Sequence, residues 1–309
     1  MNLTNSSFVP TQPSCSRVIE DEYFLESALV TLLSIILNLS TCPVIIFMNA
    51  LVIIAIKTRR RLQTMYNILL AYLAVTDLVV GMVSQPLFIA QEIYLLTGAS
   101  LLDYCSLYRK TVFVFLVPCI ASGLMLPLLS IERYLAMKYS LRYVNTVTTP
   151  RLTSAVVCSW VVAVVPLILR STPATRPFSK YFYLISVSLS VLVITFCHTS
   201  VFFVSRRHMN QIKAGQVASV AKAKFLEDRK ALKTTSIIIT FLFLSYVPGI
   251  LYGGIKHLLP SSFSGRMTNW LPLATSCVLL NSLFNPFIYC WRNKDLRKAL
   301  LALLSQQTN

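Results

Sequence analysis

Seven long apolar runs, at about 27–56, 66–92, 105–135, 152–171, 181–204, 233–257 and 268–291, alternate with short polar segments. A helix crosses the hydrocarbon core of a bilayer with about 20 mainly apolar residues, so each run is long enough. Barrel strands would be about 10 residues long with alternating polarity, which these runs are not. Helices also satisfy their backbone polar groups within each segment, as lipid requires. After the last run, Leu296, Leu300, Leu303 and Leu304 fall on one helical face, with basic residues on the other. This reads as a short amphipathic helix lying on a membrane surface. The pattern predicts an all-α membrane protein: a seven-transmembrane helix bundle with a short amphipathic C-terminal helix. It divides the chain into a polar tail at 1–26, the bundle at 27–291, and the amphipathic helix with a short tail at 292–309.

Composition narrows the functional classes. Of the 309 residues, 55% are hydrophobic and only 13% charged, against about 25% charged in a soluble domain. Such a chain cannot cover its own surface in water, which excludes disorder and a soluble enzyme. The net charge of +17 would suit a nucleic-acid binder, but the charges are partitioned. Of the 28 Lys and Arg residues, 20 fall on one side of the spans, in the connections around Arg59, Arg142, Lys222 and Lys294, and 8 on the other. The basic side is expected in the cytoplasm, with the N-terminus extracellular, the C-terminus cytoplasmic and no nucleic-acid partner. The first 26 residues lack the basic start and apolar stretch of a cleavable signal, so the first span is expected to act as its own anchor. Asn2 and Asn5 head Asn-x-Ser/Thr sequons on that outer tail and are candidate glycosylation sites. A third sequon, at Asn38, lies inside the first span and reads as coincidence. No His/Cys metal cluster, phosphate loop or nucleophile–base pair is evident, so no catalysis is expected. His198, His208 and His257 are scattered.

The polar residues within the spans carry the chemistry. Asp77, in Leu73-Ala74-Val75-Thr76-Asp77, sits mid-span. A carboxylate there costs several kcal/mol unless paired, hydrated or protonated, and marks a functional site by default. Ser122, Asn281 and Asn285 lie at comparable depth. Their oxygens suit a small hard cation or water, and equally a hydrogen-bonded cluster that only holds helices together. Glu132-Arg133-Tyr134 ends the third run. Arg133 can pair with Glu132 or reach an acid on another helix, such as Asp228 just before the sixth run, as a releasable latch. Pro248, within Ser245-Tyr246-Val247-Pro248, kinks the sixth span so that a small change there swings its far end.

The ordered set Asn49-x-x-Val52, Leu73-Ala74-x-x-Asp77, Glu132-Arg133-Tyr134, Trp160, Pro248 and Asn285-Pro286-x-x-Tyr289 resembles a rhodopsin-like (class A) G protein-coupled receptor over roughly residues 27 to 304. The resemblance implies a multi-pass protein of the plasma membrane that partners the lipid bilayer, an extracellular ligand and a heterotrimeric G protein. It makes Asp77, Ser122, Asn281 and Asn285 the pocket for an allosteric sodium ion, the sole cofactor expected. It gives Arg133 contact with the G protein, Asp228 the role of its locking partner, and Tyr289 an inward rotation on activation.

Departures from the family pattern shape the rest. The cysteine that opens the third span in the family is here Tyr108, and the outer loop from Ser171 to Lys180 has none. Cys105 lies one turn earlier, so a bridge to Cys15 in the oxidising exterior is the expected alternative. The remaining cysteines, Cys42, Cys119, Cys158, Cys197, Cys277 and Cys290, read as free. Tyr246 stands where the family has its tryptophan switch. The fifth span lacks its proline, and His198 stands where tyrosine is common. The family's ligand pocket maps onto Phe115, Leu116, Cys119, Tyr246, Ile250 and Thr275, an apolar and aromatic lining. Phe115 replaces the aspartate of amine receptors and Leu279 the lysine that binds retinal, so neither ligand fits. A lipid-like or peptide ligand is expected, with Arg170, Arg176 or Lys180 as anchors for an acidic group. Two other readings stay open: a non-signalling scaffold or decoy of the same fold, and a small-solute transporter using Asp77.

Overall fold

A computed structural model describes residues 24–97, 101–139, 142–172, 174–213, 219–258 and 270–307. The described residues are almost all helical, with short non-helical connections and no strand among them, and seven of the helices are long and apolar enough to cross a membrane. Span one is Phe24–Thr58, span three Leu101–Lys138, span four Thr149–Ser171, span five Arg176–Lys213, span six Ser219–Leu258 and span seven Leu271–Arg292. Span two is in three pieces: Met65–Val79, a π-helical turn at Val80–Ser84, and Gln85–Leu96. A final helix, Lys294–Gln307, follows span seven.

Local chemistry sets these boundaries. Thr64 caps span two by accepting from the Asn67 backbone N–H at 3.3 Å. Prolines at the first turns of spans four and seven need no backbone donor there. Span seven stops at Asn293, whose extended backbone breaks the ladder. Its side-chain oxygen then accepts from the N–H groups of Asp295 and Leu296, both at 3.1 Å. The amphipathic helix therefore starts at Lys294, after a capped break, and the residues from Cys290 to Arg292 belong to span seven.

The π turn in span two has a cause. Pro86 supplies no N–H, and its ring crowds the carbonyl four residues earlier. Widening the preceding turn relieves this. Partners absorb the loosened groups: the Cys42 thiol donates to the Gly81 carbonyl at 3.1 Å, and Ser84 donates to the Val114 carbonyl at 3.0 Å. Gly81 has no room for a side chain, since a Cβ would sit 3.0 Å from both Ile45 and Ile46 of span one. Beyond the turn, Gln85, Gln91 and Glu92 face inward and are buried.

Span three is the centre of the bundle, touching spans two, four, five and six. Leu69, Leu70, Leu73, Met125, Leu126 and Leu129 pack fully buried between spans two and three. Large apolar side chains face outward on every span, among them Leu39, Val161, Ile185, Leu192 and Phe203. That distribution suits a lipid solvent, in which apolar surface has no reason to hide.

Candidate functional site

Asp77 lies in the last helical turn before the π turn and is 1% exposed. Asn285 of span seven donates to its Oδ2 at 2.9 Å. Ser282, one turn earlier on span seven, is also buried. Asn49 of span one donates to the Ser282 carbonyl at 3.2 Å and so fixes span seven from the other side. Ser122, Asn281, Ser282, Cys119 and Tyr246 edge an adjoining cavity of about 10 Å3, room for one water-sized guest. Ser122 Oγ, Asn281 Oδ1 and Asn285 Oδ1 are buried and have no hydrogen-bond partner among the described residues. An unsatisfied buried polar atom costs about 1–3 kcal/mol; two of these, on Ser122 and Asn281, belong to residues that line the small cavity.

The Glu132-Arg133-Tyr134 end of the bundle is built differently. Glu132 and Arg133 are 2% and 5% exposed. The Arg133 guanidinium meets both carboxylate oxygens of Glu132, and the Tyr143 hydroxyl donates to the same carboxylate. The other face of the guanidinium lies over the Tyr66 ring, 4.4 Å from its centroid. The Tyr66 hydroxyl accepts from Thr235 at 3.3 Å and donates to the Ala231 carbonyl at 3.4 Å, both on span six. Tyr134 turns away, stacking on Phe196 of span five at 5.8 Å and accepting from Lys138 at 2.7 Å. His198 joins three spans from span five. Its Nε2 lies 3.4 Å from Ser130 Oγ on span three, and its Nδ1 3.2 Å from Ser236 Oγ on span six.

Residues 48–176 match the family model for the 7 transmembrane receptor (rhodopsin family). Over that stretch the chain is similar to this family of receptors. It is 25% identical to the alpha-1A adrenergic receptor of Oryzias latipes, covering 98% of this chain and 72% of that one. It is 25% identical to the alpha-1D adrenergic receptor of Sus scrofa, covering 84% of this chain and 54% of the relative. For the alpha-1A adrenergic receptor of Rattus norvegicus the identity is 26%, over 84% and 65%. The receptor thus spans between about half and three quarters of the length of these relatives.

The residues expected to line the receptor's ligand pocket separate into groups. Cys119 and Tyr246 meet at the small polar cavity, where the Tyr246 hydroxyl donates to the Cys119 carbonyl at 3.4 Å. Phe115 packs instead against Val80, Phe88 and Leu279. Leu116 is half-buried. Thr275 returns its hydroxyl to the Leu271 carbonyl of its own helix. The side chains of Ile250, Asp228, Arg176, Lys180 and Cys105 lie outside the described residues, as do Asn2, Asn5 and Cys15. Arg170 is exposed. Cys42, Cys119, Cys158, Cys197, Cys277 and Cys290 are free thiols. Pro248 and Pro286 each sit inside a continuous helix. Tyr289 is fully buried, and its hydroxyl has no partner among the described residues.

Three residues in these sites carry no strong sequence signal. Ser282 is one serine among many in apolar runs. Tyr66 opens a span, where an aromatic reads as an interfacial anchor. Asn38 reads as an accidental sequon, yet it is fully buried, donating to Ser276 of span seven at 2.7 Å and accepting from Gln85 of span two at 3.1 Å.

Proposed function

We propose that the receptor binds an extracellular ligand and activates a heterotrimeric G protein at the Arg133 end of the bundle, which faces the cytoplasm. The observation that carries this reading is the double hold on Arg133. A guanidinium buried at the end of a bundle, held by Glu132 along its edge and by the Tyr66 ring on one face, is a charge kept out of water in one shape and available in another. Span six then swings about Pro248, Thr235 and Ala231 leave Tyr66, and a cleft opens beside Arg133. A ligand bound at the opposite end drives this only by preferring the open shape. The acidic bias of the N-terminal tail and the 20 basic residues on the other side support the orientation.

Asp77, Ser122, Asn281 and Asn285 fit a sodium ion. Their donors are all oxygens, a hard set suited to a hard cation, and three of them are buried without partners among the described residues. A bound cation there would offset the Asp77 charge and satisfy those oxygens. The chain's own contribution is to hold the carboxylate in place through Asn285. For the ligand, the relatives named above are adrenergic receptors. Phe115, packed into an apolar cluster, offers an amine no counterion, which favours a lipid-like or peptide ligand over an amine.

Purified receptor in lipid nanodiscs, mixed with heterotrimers of each G protein class, tests the coupling. Nucleotide exchange above the receptor-free rate should appear with at least one class and disappear in Arg133→Ala at equal receptor loading. Equal exchange in the variant would refute the role of Arg133. A receptor that never promotes exchange, with any class or candidate ligand, would leave the decoy reading standing.

A further inference from the structure

Tyr66 belongs to none of the motifs that identify the family in this chain, yet it is the described side chain that touches both Arg133 and span six. Tyr66 is 7% exposed, and its ring lies under the guanidinium, 4.4 Å from the centroid to Cζ. Its hydroxyl is spent entirely on span six, accepting from Thr235 and donating to the Ala231 carbonyl. Thr235 is itself fully buried, so water does not compete for these bonds. The ring reads span three and the hydroxyl reads span six.

We propose that Tyr66 is the positioning residue of the switch: it holds Arg133 in its closed setting only while span six stays packed, and so couples release of the arginine to movement of span six. The inference rests on the reading of Arg133 as the switch and adds the part that makes its release cooperative with the helix. When span six leaves, the phenol loses both hydrogen-bond partners at once. Freed from both anchors on span six, the ring is no longer held in place, and the guanidinium loses its π platform. Conversely, a ring held by Thr235 and Ala231 keeps Arg133 turned toward Glu132. A merely structural tyrosine would pack against apolar neighbours and gain nothing from a hydroxyl aimed at a mobile helix.

Substitutions separate the two faces of the residue. Tyr66→Phe keeps the ring under Arg133 and removes both bonds to span six. Thr235→Val keeps shape on span six and removes one of them. Distances are read by electron paramagnetic resonance between spin labels on unnatural amino acids at the exposed positions Thr58 and Leu226, in ligand-free receptor in nanodiscs. Tyr66→Phe is expected to raise the ratio of long to short distances roughly fivefold, the worth of two long hydrogen bonds at the low end of the usual range. Thr235→Val should raise it by less, and the double variant should not exceed Tyr66→Phe alone, because both changes cut the same link.

A distance distribution unchanged in Tyr66→Phe overturns the proposal. So do effects of the two changes that multiply, since independent sites behave that way. Nucleotide exchange, measured in parallel, separates this proposal from the coupling reading. Opening in Tyr66→Phe with no exchange on any G protein supports the positioning role and counts against coupling. Exchange that depends on Arg133 but is indifferent to Tyr66→Phe, with unchanged distances, refutes the positioning role and leaves coupling standing.

Discussion

Two polar regions lie buried in the same bundle, and they are built on opposite plans. Nearer the N-terminal end of span one, Asn38, Thr41, Gln85 and Ser276 form a lattice across spans one, two and seven. Gln85 donates to Asn38 and Thr41 at 3.1 and 3.2 Å, and Asn38 donates to Ser276 at 2.7 Å. Around Asp77 the carboxylate is held, while the oxygens of Ser122, Asn281 and Asn285 are left open. The lattice uses polar groups as fasteners. The region around Asp77 leaves acceptors without partners among the described residues, which is why a cation is proposed there. The contrast teaches that neither burial of polar side chains in lipid nor one open lone pair marks a site, since Gln85 Oε1 of the lattice is also without a partner among the described residues; several open oxygens near one buried carboxylate set the second region apart.

The comparison can be broken in order of expected effect. Gln85→Leu removes two fastening bonds and should lower stability by about 2 kcal/mol, equally in sodium and choline. A thermal-unfolding series in detergent reads this, and a loss that depended on the cation would merge the two regions. Asp77→Asn should abolish a sodium stabilisation that in the parent reaches about 1.4 kcal/mol at ten times the dissociation constant. The same midpoint for the parent receptor in both salts would remove the cation from the account. Ser122→Ala should weaken the sodium effect by less, and in choline it should change stability by no more than about 0.5 kcal/mol, since its oxygen is already unpaired. A large loss in choline would show that Ser122 fastens helices after all.

The seven spans were legible in the sequence because each apolar run exceeds the bilayer thickness, and Asp77, Arg133 and Asn285 stood out as expensive residues in apolar surroundings. What stayed hidden was pairing. Nothing in a hydropathy pattern reports a π turn, so the rotation that turns Gln85 and Glu92 inward could not be read. Asn38 looked accidental because its partners, Gln85 and Ser276, are 47 and 238 residues away. Tyr66 was hidden for the same reason: its hydroxyl acts 169 residues along the chain, on Thr235. The pocket residues were taken from family positions, and a position does not say which neighbour a side chain meets. Phe115, packed on Phe88 and Leu279, shows the difference.

The claim beneath all of this is that the end of the bundle bearing Arg133 opens to receive a G protein. The most direct measurement is the Thr58–Leu226 label distance in nanodisc-embedded receptor, with and without an excess of nucleotide-free heterotrimer. The account predicts a new, longer population that appears with the heterotrimer and collapses when nucleotide is added. A distance distribution indifferent to every G protein class, in receptor that is folded and ligand-exposed, would contradict it.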